Sequence, residues 1–248
     1  MTLTLIAGTA NPSFATSIAH ELGITPCRRT VHRFADGELH VEIDESVRGR
    51  DVYVIQPTSR PPDERIMELL FLADACRRAG ASRLTAVVPY FGYARQDRRA
   101  SGREAVGAGV VATLVEAAGY SRVLAVDLHT PGSDVSLRSI IGDVKDRAPI
   151  VVDDMITTGG TMEAAVKGLL EAGCKPDVTV VATHALFAGP AVARLKRLPI
   201  RQLVGTNSVE TTSQMPDHSQ VVNVAPLIAD AIGRLHRDQT LEPMLAHV

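Results

Sequence analysis

The sequence predicts an α/β protein made of two doubly wound halves, each with a parallel sheet covered by helices. Three observations support this fold class. Short β-branched runs alternate with longer amphipathic segments along the chain. Residues 51–129 and 150–224 each follow the order strand, helix, strand, helix, strand. Gly80, Gly119 and Gly173 directly follow predicted helices, where a left-handed residue often ends a helix.

The individual elements follow from hydrophobic periodicity. The predicted strands are short runs rich in Val, Ile and Thr. They lie at residues 2–7, 51–56, 84–88, 123–126, 150–152, 178–182 and 221–224. The predicted helices place Ala, Leu, Val and Ile at intervals of three and four residues. They lie at residues 64–78, 105–118, 162–171 and 226–235. We expect these helices to cover the parallel sheets.

A domain boundary is predicted in the least regular segment, residues 130–139, where Pro, Gly, Ser and Asp cluster after a strand. The domains are then residues 1–130 and 131–248, and whether the last helix packs back on the first domain is left open. The second domain has about four predicted strands, where a doubly wound domain usually has about five. We therefore expect a truncated second domain.

Composition narrows the class of protein. Of 248 residues, 45% are hydrophobic and 22% charged, as in ordinary soluble proteins. No apolar run approaches the ~20 residues of a membrane span, and the first residues lack a basic leader, which predicts a cytoplasmic protein. The net charge of −2 and the 4% of aromatic residues argue against nucleic-acid binding. Cys27, Cys76 and Cys174 are odd in number and widely spaced, so we expect reduced thiols.

An acidic pair and a Thr/Gly turn follow the predicted strand at residues 150–152. The pair is Asp153 and Asp154, and the turn contains Thr157, Thr158, Gly159, Gly160 and Thr161. Glycines let backbone N–H groups approach a phosphate at the start of the next helix, and the carboxylates can accept hydrogen bonds from sugar hydroxyls. A Gly pair alone usually only caps a helix. The combination of strand, acidic pair, turn and helix predicts a site for a ribose 5-phosphate group.

Polar residues also follow two predicted strands of the first half. Arg95, Gln96 and Asp97 lie in a segment with three arginines after the strand at residues 84–88. Such planar cations suit a triphosphate, although a solvated basic loop is an equally good interpretation of the composition. His129 follows the strand at residues 123–126. It is either a ligand of magnesium or phosphate or a hydrogen-bonded core histidine, and for a lone histidine the core role is the more common.

The segment from Phe34 through Asp36 to Glu38 contains an Asp-Gly pair between strand-like residues, which predicts a hairpin turn. Turn formation alone explains this segment locally. No function is required by it.

Taken together, these motifs resemble those of the ribose-phosphate pyrophosphokinase family, in the same order and over nearly the whole chain. They are Phe-Ala-Asp-Gly-Glu at 34–38, Val-Arg-Gly-Arg-Asp at 47–51, Pro-Tyr-Phe-Gly-Tyr-Ala-Arg-Gln-Asp-Arg at 89–98, Val-Asp-Leu-His at 126–129 and the Asp-Asp loop at 151–161. The resemblance implies two domains of phosphoribosyltransferase type. It also implies transfer of the β,γ-diphosphoryl group of Mg-ATP to ribose 5-phosphate, which gives phosphoribosyl pyrophosphate and AMP.

The resemblance assigns a role to each motif. Phe34, Asp36 and Glu38 would hold adenine across a subunit contact, which implies a homo-oligomer, in this family a dimer-based hexamer. Arg95, Gln96 and Asp97 would bind ATP. His129 would place Mg²⁺ and the ATP phosphates, so that His129 and Arg95 are the implied catalytic residues. Asp153 and Asp154 would bind the ribose hydroxyls, and Thr157, Thr158, Gly159, Gly160 and Thr161 the 5-phosphate.

The sequence departs from the family in two places. Thr157 stands where the family commonly has Asp, a change that keeps a hydrogen-bonding side chain. Between His129 and Asp153 the family has several tens of residues more, including a strand, a helix and a flexible loop whose Lys and Arg stabilise the transition state. Without them, the chain either binds its ligands but catalyses poorly, or uses the groups of another subunit, or is a non-catalytic regulatory or assembly subunit of the family. A nucleobase phosphoribosyltransferase is a third alternative, although it would have no use for the motifs of the first half.

Overall fold

The structure, a computed structural model, describes residues 1–99, 101–128, 148–210 and 215–245. By their contacts the residues form two compact units. Unit 1 comprises residues 1–126 and 224–248, and unit 2 comprises residues 127–223. The domain boundary after residue 130 stays a prediction, and the C-terminal segment belongs to unit 1 by its contacts. In the described part of the chain, no helix has the length and hydropathy needed to cross a bilayer.

The secondary structure alternates between strands and helices, as the periodicity predicts. The strands are β1 (Leu3–Ala7), β2 (Arg29–Arg33), β3 (Leu39–Ile43), β4 (Asp51–Ile55), β5 (Arg83–Val88), β6 (Arg122–Ala125), β7 (Ile150–Ile156), β8 (Val178–Ala185), β9 (Ile200–Thr206) and β10 (Ser219–Val222). The helices are α1 (Pro12–Glu21), α2 (Pro62–Arg78), α3 (Gly107–Ala117), α4 (Gly160–Glu171), α5 (Ala191–Leu195), α6 (Ala225–His236) and α7 (Glu242–Leu245).

Unit 1 contains a parallel sheet with the strand order β1-β4-β5-β6. Every residue of β4 is buried, because successive side chains alternate between two covered faces. Val52 and Val54 pack with α2 and α3 in one core cluster. Tyr53 and Ile55 pack with α1 and α6 in another. Helices therefore cover both faces of this sheet, which confirms the doubly wound prediction for the first half.

Strands β2 and β3 form a separate antiparallel hairpin in unit 1. Val41 and Ile43 of β3 pack against the core that contains α2. Because side chains alternate along a strand, the opposite face carries His32, Phe34 and His40, whose rings contact one another. The hairpin thus has one apolar inner face and one outer face with aromatic rings.

Unit 2 contains a second parallel sheet, with the strand order β10-β9-β8-β7. Its core gathers apolar side chains of β8, β9, α4 and α5, among them Val180, Leu203 and Val166. The first half of the edge strand β7 is poorly covered: Ile150 is 67% and Val152 is 72% exposed. Among the described residues this sheet has four strands, and the truncation of the second domain stays a prediction.

Some elements differ from the sequence-based prediction. Helix α1 and strand β9 were not predicted. Strand β10 begins and ends two residues earlier than the strand predicted at 221–224. Strand β9 carries Arg201 and Gln202 in its first half, which interrupts the apolar pattern. Cys27, Cys76 and Cys174 are buried and form no disulfide.

Candidate active site

The predicted phosphate loop is the turn between β7 and α4 in unit 2. Strand β7 ends at Ile156, and α4 begins at Gly160. Gly159 occupies the N-cap position with a φ of 75°, a left-handed conformation that side chains other than glycine adopt with strain. No side chain caps this helix, so the N–H groups of its first turn point toward the turn without a side-chain acceptor. This geometry fits an anion at the helix N-terminus.

Arg194 of α5 is a cation beside this loop that sequence analysis did not identify. Its Nη1 donates to the carbonyl oxygen of Thr158 at 3.3 Å, and its Nε lies 3.7 Å from Oε2 of Glu163. Arg194 therefore joins the loop to the first turn of α4. No local pattern points to it, because it lies more than thirty residues beyond the loop in sequence.

The predicted acidic pair lies within β7, two residues before its end at Ile156, and not after the strand as predicted. Asp153 and Asp154 are half-buried, and the backbone N–H of Asp154 donates to Oδ1 of Asp153 at 2.9 Å. Because only Met155 and Ile156 separate the pair from the loop, the predicted sugar-binding and phosphate-binding residues lie close together along the chain in unit 2. The order of carboxylates before N–H donors matches the order of hydroxyls and phosphate on ribose 5-phosphate.

A hydrogen-bonded cluster next to the acidic pair was not predicted. Asp153 pairs with Ala182 and Met155 with His184, so Asp154 and Thr183 are neighbours in the register of β7 and β8. The Thr183 hydroxyl donates a hydrogen bond to Oδ2 of Asp127, which adopts a positive φ of 48°.

The same cluster continues into the core of unit 2. The buried ring of His184 places Nδ1 2.8 Å from the Ser208 hydroxyl and Nε2 3.4 Å from the backbone oxygen of Asp127. Thr183 and His184 thus hold the first residue of the Asp-Leu-His segment. His129, the predicted magnesium ligand of that segment, lies outside the described residues.

The predicted adenine-binding residues lie at the tip of the β2–β3 hairpin in unit 1. The backbone N–H of Phe34 donates to the Glu38 oxygen at 2.9 Å, and Gly37 has a φ of 94°. Oδ1 of Asp36 accepts from the Glu38 N–H at 3.1 Å, as in an Asx turn. All three side chains of the motif are exposed, and Phe34 retains 51% of its surface.

The predicted ATP-binding arginine segment follows β5 in unit 1. Arg95 and Gln96 are exposed, and the backbone oxygen of Gln96 accepts a hydrogen bond from the N–H of Ala108 at 3.1 Å. Asp97 is half-buried, and its Oδ2 is a buried atom with no hydrogen-bond partner in the described structure. Tyr93, two residues before Arg95, has a φ of 67°. Strained backbone of this kind is frequent at binding sites.

Comparisons with known proteins find relatives of nearly the whole chain. A model of the N-terminal domain of ribose phosphate pyrophosphokinase matches residues 3–119, and a model of the phosphoribosyl synthetase-associated domain matches residues 94–245. A ribose-phosphate pyrophosphokinase from Gloeobacter violaceus is 38% identical, over 98% of this chain and 92% of that protein. A chloroplastic ribose-phosphate pyrophosphokinase 1 from Arabidopsis thaliana is 34% identical, over 96% and 76% of the two chains.

A solved structure is also similar. The crystal structure of phosphoribosylpyrophosphate synthetase from Mycobacterium smegmatis superimposes with a TM-score of 0.89 and 32% identity. The superposition covers 96% of this chain and 100% of that one.

The alignment with the Gloeobacter violaceus protein spans 311 positions but contains only 98% of 248 residues, so about 68 positions have no residue in this chain. The chain is therefore shorter than this relative within the region that they share. The location of the shortening between His129 and Asp153 stays a prediction.

Proposed function

The chain belongs to the ribose-phosphate pyrophosphokinase family, and on that premise we propose that it makes phosphoribosyl pyrophosphate for nucleotide biosynthesis. In this reaction the 1-hydroxyl oxygen of ribose 5-phosphate attacks the β-phosphorus of ATP. The bond from that phosphorus to the α,β-bridging oxygen breaks, the hydroxyl proton is lost, and AMP leaves. The single observation that carries the proposal is the continuous run of Asp153, Asp154 and the Thr/Gly turn at the edge of unit 2.

The ribose 5-phosphate site is assigned to unit 2. Asp153 and Asp154 would accept hydrogen bonds from the sugar hydroxyls. The 5-phosphate would accept from the backbone N–H groups around Gly159 and Gly160 and from the hydroxyls of Thr157, Thr158 and Thr161. Two carboxylates repel a phosphate, so this order orients the sugar in one direction along β7.

The ATP site is assigned to segments of unit 1 and to His129. The exposed ring of Phe34 offers a stacking surface for adenine, and Asp36 and Glu38 offer hydrogen-bond acceptors. Arg95, Gln96 and Asp97 would bind the rest of ATP. An adenine site across a subunit contact needs at least a dimer, and we propose a dimer-based hexamer.

Magnesium enters as part of the substrate Mg-ATP and neutralises charge on the phosphates. Among the described residues, no three His, Cys, Asp or Glu side chains form a metal-binding group. This fits Mg²⁺, which is usually held by substrate phosphates, water and one or two carboxylates. The Asp127 carboxylate, fixed by Thr183, and His129 in the same segment would be the protein's contribution.

The shortened chain supports a second candidate, a non-catalytic subunit that keeps the binding sites. Cationic contacts to a transferred phosphoryl group contribute roughly 10³–10⁵ in rate, so losing a cationic loop would greatly reduce turnover. The full-length family match and the motifs of unit 1 leave no support for a nucleobase phosphoribosyltransferase.

One assay separates the two candidates. The purified chain is incubated with Mg-ATP and ribose 5-phosphate, and AMP and phosphoribosyl pyrophosphate are quantified by anion-exchange chromatography. The catalytic proposal expects equal amounts of the two products, dependent on ribose 5-phosphate, and abolished by a chelator and by Asp154→Ala. ATP binding without AMP above the level of Asp154→Ala would establish the non-catalytic subunit instead.

A further inference from the structure

The outer face of the β2–β3 hairpin carries a cluster of three rings, of which only Phe34 belongs to the motifs of the family. The ring centroids of His32 and Phe34 are 5.3 Å apart, those of Phe34 and His40 are 5.6 Å apart, and those of His32 and His40 are 4.6 Å apart. Each ring therefore contacts the other two. Distances of 4.5–7 Å are those of favourable aromatic pairs.

Strand register produces this cluster. His32 and His40 are directly opposite each other in the antiparallel pair, and Phe34 lies two residues beyond His32 on the same face. On the inner face, Val41 and Ile43 pack against the core of unit 1. The inner contacts keep the hairpin from turning over, so the three rings stay on the outer side.

Contacts with both histidines fix the orientation of the Phe34 ring. The ring planes of His32 and Phe34 cross at 83°, and those of Phe34 and His40 at 64°. Edge contacts of this kind cover only part of a ring, and Phe34 remains 51% exposed. Among the five phenylalanines of the chain it is the most exposed.

A planar apolar group is the ligand that fits such a surface. Exposed rings held in a fixed orientation lose little entropy when a flat ligand stacks on them. The turn that follows Phe34 supplies the acceptors Asp36 and Glu38, and the Phe34 N–H donates to the Glu38 backbone oxygen at 2.9 Å. A purine with an exocyclic amino group combines a flat ring with donors for these acceptors.

From this geometry we propose that His32 and His40 are positioning residues that hold Phe34 for stacking on the adenine base of ATP. The inference rests on the proposed adenine site, which it extends by two residues outside the family motif. Loss of either imidazole frees the Phe34 ring and weakens binding of the base but not of the phosphates. Neither histidine takes part in the transfer itself.

The test compares ATP with inorganic tripolyphosphate, which has the phosphates without the base. Affinities are measured by calorimetry for the wild-type chain and for His32→Ala, His40→Ala, His32→Phe and His40→Phe. The Ala variants are expected to bind ATP about two- to tenfold more weakly, as the loss of one aromatic contact predicts. Their affinity for tripolyphosphate should be unchanged. The Phe variants, which keep a ring, are expected to restore ATP affinity.

Three readouts keep this inference apart from a folding defect and from the proposed reaction. His20→Ala, at an exposed histidine of α1, is the matched control and should leave ATP affinity unchanged. In assays of turnover, the Ala variants should raise KM for ATP with kcat and KM for ribose 5-phosphate unchanged. On the wild-type chain, adenosine should shift the imidazole NMR signals of His32 and His40, but not that of His20.

The inference would be overturned if the Ala variants bound ATP and tripolyphosphate more weakly to the same extent. Unchanged ATP affinity in folded Ala variants would overturn it too. Both outcomes count even if the chain makes phosphoribosyl pyrophosphate. If the Ala variants do not fold, the wild-type NMR experiment decides. Adenosine-induced shifts of the His32 and His40 signals support the inference, and unshifted signals refute it. A chain that binds ATP through these rings but forms no AMP would refute only the catalytic function.

Discussion

Arg83 binds both carboxylate oxygens of Asp51, with its Nε 2.8 Å from Oδ1 and its Nη2 2.6 Å from Oδ2. The two residues begin the neighbouring strands β4 and β5 and pair in their register. Asp51 is fully buried and also accepts a hydrogen bond of 2.8 Å from Nδ1 of His236 in α6. The carboxylate of Asp51 therefore links the central strands β4 and β5 of unit 1 to helix α6.

Replacement of Asp51 by Asn should destabilise unit 1. The change removes the buried one of the two carboxylates that pair with Arg83, the other being the exposed Asp238, and breaking a buried pair costs about 3 kcal/mol or more of unfolding free energy. Urea denaturation of the full chain measures this. Asp74→Asn is the matched control, because Asp74 also pairs with two arginines, Arg77 and Arg78, but at the surface. Equal destabilisation by both changes would contradict the prediction.

The same carboxylate should make the stability dependent on pH. Burial alone would raise the pKa of Asp51, but hydrogen bonds from Arg83 and His236 outweigh burial and hold this pKa below its ordinary value of 3.8. The unfolded chain then binds the proton more readily, so the stabilisation is present above that ordinary value and is lost as pH falls through the folded pKa. The difference in unfolding free energy between wild type and Asp51→Asn should therefore stay constant above about pH 5 and shrink as the pH falls from about 5 to 3. A constant difference over this range would exclude the linkage.

Two glycines at and within α4 should respond to alanine with opposite signs. Gly159→Ala places a side chain at a φ of 75° and should cost about 1–2 kcal/mol of unfolding free energy. Gly168→Ala adds a methyl group in open space inside the helix and should stabilise by about 0.5–1 kcal/mol. Thermal unfolding of both variants checks this. The first should also raise KM for ribose 5-phosphate, whereas the second should not.

Thr183 should matter for turnover although it is outside the predicted site. Thr183→Val removes the hydroxyl that holds the Asp127 carboxylate, and loss of such supporting contacts near a metal typically costs about 10–100-fold in activity. Thr183→Ser keeps the hydroxyl and should retain most of kcat. Thr113→Val is a control, since Thr113 is an exposed residue of α3 whose hydroxyl donates to a backbone oxygen of the same helix. If Thr183→Ser loses as much activity as Thr183→Val, the hydroxyl is not the cause.

The two substrate sites should separate in kinetic measurements. Asp154→Ala should weaken binding of ribose 5-phosphate more than that of ATP, because it removes an acceptor for a sugar hydroxyl. Arg95→Ala should do the reverse, because it removes a cation from the triphosphate. Equilibrium binding of each ligand to each variant gives the comparison. Equal losses for both ligands in either variant would contradict the assignment.

Sequence reasoning succeeded where the evidence is contiguous in the chain. The strand with its acidic pair, the turn and the helix follow one another from β7 to α4, so their order could be predicted from local pattern, although β7 extends to Ile156 and α4 begins at Gly160. The buried strand β4 could be predicted equally well. Its five consecutive buried residues are apolar except for the paired Asp51 and give a clear hydrophobic pattern.

Contacts distant in sequence could not be predicted in this way. Thr183 lies 56 residues from Asp127 and Arg194 lies 36 residues from Thr158, and hydrophobic periodicity carries no information on such pairs. The hairpin strands were recognised only at their turn. Strand β2 has Val31 as its only apolar residue, so its alternation is weak, whereas β3 alternates regularly between apolar and polar residues and could have been predicted.

The return of the C-terminal segment to unit 1 has a consequence for synthesis on the ribosome. The core around Leu5, Tyr53 and Ile55 is completed by Ile228 and Ile232 of α6, which emerge only after all of unit 2. At about 5–20 residues per second, roughly a hundred intervening residues delay them by about 5–20 s. During that interval α1 but not α6 covers this sheet face of the nascent chain, so apolar side chains that α6 buries in the finished protein stay accessible to solvent and to cotranslational chaperones.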